Sequence, residues 1–439
     1  MNTGSNSSWW HHSRIYQALA LLTSWVSQSW LLNSFSLEIL LGILVAALPF
    51  WSNEQLGILS LVIGIFTLPF WLQTASAVQL PLACYWLVAA IATLQSPVKI
   101  AALDGWIKLS LFLGVFFGFQ VVCRRRRSLL IGVYVLTCLV VMIYGVRQWV
   151  YGVGALATWV DPSSDFAGTT RIFSFLDNPN LLAGYLLPCF PVAVVAAIVW
   201  RGWGVKLLSG AIALLGMLGV VLTFSRGGLI GLGLELVVLG SLLLFWWQQQ
   251  IANWIIIAIG GLALTLSSTA FTLIPALRLR LLSIFVGRAD SSNNFRINVW
   301  LAVLEMVKSR PILGIGPGNK AFNLVYPFYQ RPGFSALGAY SVPLEIASET
   351  GLVGLGIYLW FLVTLLKTAW HNLLILRSQR QAQGLWLIAA LSSLVGLIGQ
   401  GLFDTVWYRP QVQIVWWLLV GIIASCDRGL DQSFKSTKL

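Results

Sequence analysis

Long apolar runs separated by short polar segments make up most of the sequence. Backbone N–H and C=O groups in lipid must be paired within the chain, so an apolar run of about 20 residues predicts a helix that crosses the bilayer. Twelve runs fit this pattern: 37–51, 56–72, 78–94, 106–122, 128–150, 181–200, 205–224, 229–247, 252–273, 352–366, 385–403 and 412–425. We therefore predict an all-α, polytopic transmembrane protein with about twelve spans.

The spans divide the chain into five parts. Residues 16–32 mix tryptophans with serines and predict a helix that lies in the membrane surface. The five parts are a cytoplasmic or interfacial segment (1–36), a nine-span region (37–273), a large extracytoplasmic helical loop (274–351), a three-span region (352–425) and a cytoplasmic tail (426–439).

Composition and charge agree with a membrane protein. Only 9% of the residues are charged and 58% are hydrophobic, which leaves too few charges for a surface that faces water. The 22 tryptophans fit aromatic belts at the two interfaces. The net charge of +13 has a topological explanation, because the arginine run 124–127 between two spans predicts a cytoplasmic turn. This orientation places both termini in the cytoplasm, and we expect no nucleic-acid partner.

The loop 274–351 is predicted to fold as a small helical cap. Apolar positions at spacings of three and four predict an amphipathic helix that Asn294 caps and Pro311 ends. The glycine-rich segment 314–318 predicts a turn, and residues 319–329 predict a second short helix. Basic residues outnumber acidic ones in the loop, so its surface attracts anions.

Two motifs on the outer side are candidates for binding an anion. Arg171 precedes a turn at 177–180 that caps the sixth span, and capping alone would also explain that motif. Between the seventh and eighth spans, glycine N–H groups and a helix start favour an oxyanion, and an arginine offers two parallel hydrogen bonds. The residues are Ser225, Arg226, Gly227 and Gly228, and a tight turn is the alternative explanation.

Further polar candidates lie in the eighth span and in the loop. Glu235 lies about two turns into its span, where a carboxyl group is paired, protonated or faces a cavity. The loop contributes Arg288, Asp290, Arg296, Trp300, Glu345 and Glu349. Glu349 precedes the tenth span, where a carboxylate favours a helix start. That stabilising role is its alternative to a function.

Several kinds of site are absent from the sequence. It has no HExxH, no GxSxG and no Walker lysine motif, and its five cysteines form no CxxC pair. The three histidines, His11, His12 and His371, fall on the cytoplasmic side of the predicted topology. We therefore expect no metal and no cofactor, and no histidine base on the outer side.

The order of these motifs resembles the O-antigen ligase and polymerase superfamily of bacterial envelopes. The similar stretches are 171–180, SRGG at 225–228, 296–300, 311–318 and 349–351. The resemblance implies a protein of the bacterial inner membrane with about twelve spans and a large periplasmic loop. It also implies that Arg171, Arg226, Arg288 and Arg296 hold the diphosphate of a polyprenyl-diphosphate-linked glycan.

One branch of that superfamily is more similar still. Two segments resemble the cyanobacterial IctB family: GRADSSNNFRINVW at 287–300 and RPILGIGPGNKAFNLVYPFYQ at 310–330. That resemblance implies a role in inorganic-carbon accumulation, with bicarbonate as the transported anion.

The sequence departs from the ligase pattern at one position. Ligases of this superfamily have a motif similar to H-N-x-x-L-E before the E-T-G element, and the resemblance implies that its histidine is the base. In this sequence Tyr340 occupies the position of that histidine. Tyrosine has an ordinary pKa of about 10, so it is a poor base near neutral pH. Glu345 and Asp290 are the other candidates for the base.

Three functions remain open on the sequence. The first is bicarbonate accumulation or transport. The second is glycosyl transfer from a polyprenyl-diphosphate donor at the periplasmic face, with arginines that neutralise the leaving group. The third is binding of a lipid-linked glycan without catalysis.

Overall fold

The computed structural model describes residues 34–153, 170–248, 272 and 275–427, and these residues fold into helices and connecting turns. The first eight helices are α1 (Ser34–Ala47), α2 (Asn53–Thr67), α3 (Gln79–Gln95), α4 (Lys99–Tyr151), α5 (Pro179–Leu186), α6 (Cys189–Val199), α7 (Trp203–Leu222) and α8 (Arg226–Trp247). The other six are α9 (Pro275–Leu282), α10 (Ser291–Ser309), α11 (Asn319–Val325), α12 (Val342–Ser378), α13 (Gln383–Gly401) and α14 (Pro410–Ser425).

The all-α, membrane-spanning fold predicted from the apolar runs is confirmed. Within the described ranges, seven helices are long and apolar enough to cross a membrane, and three shorter apolar helices accompany them. Eleven of the predicted runs fall on these helices. The predicted run 252–273 and the predicted interfacial helix at 16–32 lie outside the described residues.

Helix α4 carries two predicted spans in one element. It has 53 residues, or roughly 80 Å of helix, which is far more than one bilayer needs. Its backbone leaves helical geometry at Arg126, with φ −128° and ψ 30°. The break falls inside the arginine run 124–127, so the two spans meet where the charge pattern predicted a turn.

The loop between α8 and α12 folds as a cap with its own core. Its buried side chains include Val299, Val303, Met306, Phe322 and Tyr326. The second predicted helix is confirmed as α11, which continues into a short 3-10 turn at Tyr326–Phe328. The prediction that Asn294 caps α10 is wrong. Asp290 caps the helix instead, because its carboxylate accepts from the Asn293 N–H at 2.9 Å.

Helix α12 is broken near its N-terminal end, and the cap is fixed to the break. Gly351 has φ 69° and ψ −173°, so it separates a short helix from the longer one that follows. Backbone N–H groups of Ile315 and Gly316 donate to the carbonyls of Ser348 and Glu349, each at 2.9 Å. These bonds satisfy carbonyls that the break leaves without helical partners.

The glycine-rich segment predicted as a turn crosses this break. Gly314, Gly316 and Gly318 all have positive φ. A Cβ on Gly318 would lie 2.6 Å from the Cα of Gly105 on α4. The segment therefore needs glycine for its conformation and for its close approach to α4.

Candidate functional site

Arg226 joins the membrane region to the cap through an ion pair with Asp290. Its Nη1 donates to Asp290 Oδ1 at 2.7 Å and to Asn293 Oδ1 at 2.6 Å, and its Nη2 donates to Asp290 Oδ2. Burial pushes the pKa of Asp290 upward, but hydrogen bonds from Arg226 and the Asn293 N–H hold it below its usual range. Asp290 is therefore a paired carboxylate at a helix start, a poor position for a general base.

The rest of the SRGG motif has a packing role in the structure. Ser225 caps α8 by accepting from the Gly228 N–H at 3.2 Å. A Cβ on Gly227 would lie 3.3 Å from Gln400, and one on Gly228 would lie 2.7 Å from Ala183. These glycines let α8 approach its neighbours closely. Binding of an oxyanion by the backbone N–H groups of this motif stays a prediction.

Arg171 lies on the same side of the molecule as Arg226. Its Nε donates to the Thr223 carbonyl at 2.8 Å, and its Nη2 donates to Asn180 Oδ1 at 3.1 Å. The pKa of Arg171 is lowered to about 10, mainly by burial; the charge of Asp404 opposes this shift, and those of Arg296 and Arg226 add to it. The predicted cap of the sixth span is also confirmed, because the Asn178 side chain accepts from two N–H groups of α5.

Arg280 on α9 is a fourth arginine of this cluster and was not among the residues predicted from the sequence. Its Nε donates to the Phe224 carbonyl at 2.8 Å, next to the SRGG motif. The pKa of Arg280 is lowered to about 9, mainly by burial, with smaller contributions from the charges of Arg171 and Arg226. Sequence offers no signal that separates it from the exposed Arg278 on the same helix.

Arg296 reaches from α10 to the segment after α13. Its Nε donates to the Phe403 carbonyl at 3.1 Å, and its guanidinium lies 6.0 Å from the centre of the Tyr340 ring. Trp300, one turn further along α10, donates its indole N–H to the Tyr340 carbonyl at 3.3 Å. The predicted pair Arg296 and Trp300 thus positions Tyr340.

Four of the arginines therefore converge, and one predicted arginine does not join them. Arg171, Arg226, Arg280 and Arg296 lie near enough to influence one another electrostatically. Arg288 is exposed and donates to Asn294 at 3.3 Å. In the described part of the chain, Asp290 and Asp404 are the carboxylates that act on Arg280 and Arg171.

A cavity of about 510 Å³ adjoins the cluster. Glu345, Glu349 and Asp404 line it, as does Tyr340. Its other walls come from α3, α4, α11, α14 and the 3-10 turn Val406–Tyr408. The volume is in the usual range for ligand pockets, and the mixture of apolar walls with few polar groups is typical of them.

Glu345 and Glu349 lie on the short N-terminal part of α12. Glu345 is fully buried, and its Oε2 accepts from the Ala339 N–H at 3.3 Å. Glu349 is 4% exposed and faces the Tyr408 hydroxyl and the Gly318 N–H. Glu349 ends a short helix before the break at Gly351 and so directly precedes the longer helix; a stabilising role at the start of that span stays a prediction.

Asp404 connects the cavity to the arginine cluster and was not among the residues predicted from the sequence. Burial raises the pKa of Asp404 above its ordinary value, while Arg296, the Thr405 N–H and Arg171 act in the opposite direction. The sequence places this residue directly after the apolar run 385–403. A single aspartate at the end of a span is the signal that was available.

Tyr340 stands in the position where the ligase resemblance implies a histidine. It has φ 51°, in the left-handed region that is costly for a bulky residue. Burial raises the pKa of Tyr340, and the charges of Asp404 and Glu345 raise it further while Arg296 lowers it. The phenol is neutral at physiological pH and cannot accept a proton as a base.

Glu235 lies apart from both the cluster and the cavity. It is fully buried in α8 against Gly396 of α13. Neither carboxyl oxygen has a hydrogen-bond partner within the described ranges. No group of three or more His, Cys, Asp or Glu residues suited to a metal ion is found in the same part of the chain.

The fold and the site together define a helical membrane protein with a folded cap, a buried arginine cluster and an adjoining acidic cavity. Residues 210–359 match the family model of the O-antigen ligases. The match supports a place for this chain in the O-antigen ligase-like superfamily. It includes Arg226, Arg280, Arg296 and Glu345, whereas Arg171 and Asp404 lie outside it. No protein of curated function matches the chain.

Proposed function

We propose that the protein transfers a glycan from a polyprenyl-diphosphate donor at the outer face of the inner membrane. The observation that carries the proposal is the convergence of four arginines beside a cavity lined by carboxyl groups. Clustered guanidinium groups favour an anion with two charged centres, and a diphosphate diester supplies negative charge on both phosphates. The match to the O-antigen ligase family supports the same class of donor.

The arginines act on the leaving group in this proposal. As the bond between the anomeric carbon and the diphosphate oxygen breaks, its electron pair stays with the diphosphate. Arg171, Arg280 and Arg296 stabilise the charge that develops there, in a site that is largely shielded from water. Asp290 holds Arg226 in place and Asp404 faces Arg171 and Arg296, so the cluster is ordered before the donor binds.

Glu345 is the proposed general base. Its Oε1 has no hydrogen-bond partner among the described residues, and the residue lines the cavity. Burial and the charge of Glu349 raise the pKa of Glu345, which makes its deprotonated form a stronger base. This form takes the proton of an acceptor hydroxyl while that oxygen bonds to the anomeric carbon. Asp290 is paired with Arg226 and Tyr340 is neutral, so neither of the other predicted candidates fits this role as well.

Bicarbonate transport rests only on the resemblance to the IctB family. The family match gives it no support, and no contact in the described structure favours bicarbonate over a diphosphate. Binding of a lipid-linked glycan without catalysis uses the same arginines and is distinguished by the absence of transfer.

The test is capture of the donor lipid. The protein is purified in native-lipid nanodiscs, and co-purifying lipids are identified by mass spectrometry. We expect a polyprenyl-diphosphate glycan with the wild type and a loss of about tenfold with Arg280→Gln, because one charge-assisted contact is removed. Arg278→Gln is the matched control, since Arg278 lies on the same helix but is exposed. Equal loss in both variants, or no such lipid with the wild type, overturns the proposal.

A further inference from the structure

A groove of about 550 Å³ lies between α2, α3 and α4, outside the arginine cluster and the acidic cavity. Most of its lining is aliphatic or aromatic. Thr67 and Ser110 carry the hydroxyl groups in the lining, and each donates to the carbonyl one turn earlier in its own helix, at 2.7 and 2.9 Å. The Trp86 indole N–H donates to the Ser110 hydroxyl at 2.8 Å. The groove therefore offers a ligand apolar contacts and few hydrogen bonds.

Small residues make room in the groove. Gly64 on α2 and Gly114 on α4 line it without side chains, and Ala83 on α3 is exposed and adds only a methyl group. The exposed apolar side chains of the lining are Leu61, Ile65, Leu68 and Leu87. An exposed apolar surface on helices that cross a bilayer is covered by lipid chains.

The dimensions of the groove suit a hydrocarbon chain. Its lining on α3 extends from Gln79 to Leu87, which is roughly 12 Å along the helix axis. The lining on α4 extends from Ser110 to Phe117, or roughly 10 Å. The space is thus elongated along the helices, as the acyl chains of a bilayer are, and its volume is in the usual range for ligand pockets.

One end of the groove reaches the arginine run 124–127. Gln79 lines the groove and donates to Gln120 Oε1 on α4 at 3.1 Å. Arg124 follows Gln120 by one helical turn, and it follows the lining residue Phe117 by two. Residues at these spacings share one face of a helix, so Arg124 continues the face of α4 that lines the groove. The apolar groove and the cationic groups therefore adjoin.

Arg125 presents its charge to the surroundings at this end of the groove. It is exposed and forms no ion pair within the described ranges. Two nearby carboxylates have partners of their own. Asp427 accepts from the Ser76 hydroxyl and the next backbone N–H, at 3.1 and 3.0 Å, and Glu38 lies 3.9 Å from Arg126. The guanidinium of Arg125 can therefore donate two parallel hydrogen bonds to a phosphate.

We propose that the groove binds an anionic phospholipid, with one acyl chain along α3 and the phosphate against Arg124 and Arg125. Opposite charges place the headgroup at the arginine run, and the apolar walls take up the chain. A zwitterionic lipid fits the same groove but gains less from the arginines, because its own cation offsets the phosphate. The site does not depend on the proposed glycosyl transfer, since the groove shares only Leu82 with the lining of the acidic cavity in the described structure.

Native mass spectrometry of the intact protein in detergent tests the proposal, because it counts bound lipids directly. The probes are phosphatidylglycerol and phosphatidylcholine with identical acyl chains. We expect phosphatidylglycerol to bind the wild type about tenfold more tightly, because its headgroup carries a net negative charge.

Ala83→Phe tests the apolar part of the site. The larger side chain fills the groove, so binding of both lipids should weaken about tenfold as the acyl chain loses buried area. Leu80→Phe is the matched control, because Leu80 is exposed on the same helix but does not line the groove. Ala83→Leu replaces Ala83→Phe if that variant fails to elute as a single species, with an expected loss of about threefold.

Arg125→Gln tests the cationic part of the site. We expect phosphatidylglycerol to bind about fivefold more weakly and the affinity for phosphatidylcholine to change by less than about twofold, because one charged contact is removed. Arg201→Gln is the matched control, since Arg201 is an exposed arginine in the turn between α6 and α7.

Equal affinity of the wild type for the two phospholipids, or equal losses in a variant and its control, overturns the proposal. Undecaprenyl phosphate is added as a competitor, and phosphatidylglycerol is expected to stay bound at an equimolar amount of it. Its displacement from the wild type would assign the groove to a polyprenyl chain and also overturn the proposal. Capture of the donor lipid is a separate test, because it probes Arg280 and none of the residues substituted here.

Discussion

Arg226 and Asp290 are 64 residues apart and form a two-pronged ion pair between the starts of α8 and α10. The arginine side chain is 5% exposed and the aspartate side chain 19%. The pair therefore fixes the first helix of the cap to the membrane region at the centre of the arginine cluster. Two charges in such a site stabilise each other only while both are present.

Removal of either partner is expected to destabilise the protein. Arg226→Ala or Asp290→Asn leaves a buried charge without its partner, at a cost of about 3 kcal/mol. The double variant should cost clearly less than the sum of the two single variants, because the partners act on each other. The measurement is the midpoint of chemical unfolding in detergent for all four proteins. Strict additivity would show that the pair does not couple the cap to α8.

Asp404 should make stability depend on pH in a direction opposite to that of a paired carboxylate. The pKa of its buried carboxyl is raised, so the folded protein binds more protons than the unfolded chain between the ordinary value near 4 and the raised value. Stability is therefore lost as pH rises through this window. Asp404→Asn removes the titration, so the variant should gain stability relative to the wild type from about pH 4 towards neutral pH.

The comparison is made by unfolding both proteins across that pH range. Asp290→Asn is a useful contrast, because the pKa of Asp290 is lowered and its contribution is instead lost as pH falls. A difference between the wild type and Asp404→Asn that stays constant with pH would contradict the buried position of this carboxyl.

The spans could be predicted from sequence because a bilayer imposes one local rule on each of them. An apolar run must satisfy its own backbone and has a length set by membrane thickness, and both properties are visible in a short window. The exact ends of the helices were harder to predict from the sequence. Asn294 and Asp290 both precede the apolar face of α10, and tertiary contact with Arg226 selects Asp290.

The arginine cluster was only partly predictable, because it forms through contacts between distant segments. Arg171, Arg226 and Arg296 were candidates from glycine-rich or polar motifs. Arg280 lacks such a motif, and Asp404 resembled the boundary of a span. Their roles depend on the packing of α9 on the end of α8 and of α10 on the end of α13, which no local periodicity encodes.

Gly351 should be required for the break in the N-terminal part of α12. A Cβ there would lie 2.1 Å from the Ile312 carbonyl oxygen, and its φ of 69° is unfavourable for other residues. Gly351→Ala is expected to cost at least about 2 kcal/mol and to loosen the cap, since strain of this kind costs 1–3 kcal/mol. Gly356→Ala is the matched control on the same helix, because nothing lies within 4 Å of its Cβ position.

Limited proteolysis and chemical unfolding together check this expectation. The Gly351→Ala protein should be cleaved faster than the wild type in the segment 311–340, while Gly356→Ala should match the wild type. Equal resistance of both variants would show that the contact between the segment and the break can adjust without cost.

Separate substitutions of Tyr340 and Glu345 distinguish a residue that positions the site from the proposed general base. Tyr340→Phe keeps the ring that lies 6.0 Å from Arg296 and removes only the hydroxyl. Because burial raises the pKa of this phenol, it is protonated at neutral pH, and we expect transfer to stay within about threefold of the wild type with an unchanged pH profile. Glu345→Gln should instead reduce transfer by about 100-fold or more, as loss of a general base does. Release of free polyprenyl diphosphate from the co-purified lipid, followed by mass spectrometry, measures both variants. A loss in Tyr340→Phe as large as that in Glu345→Gln would assign the chemistry to the phenol and require a different base for this protein.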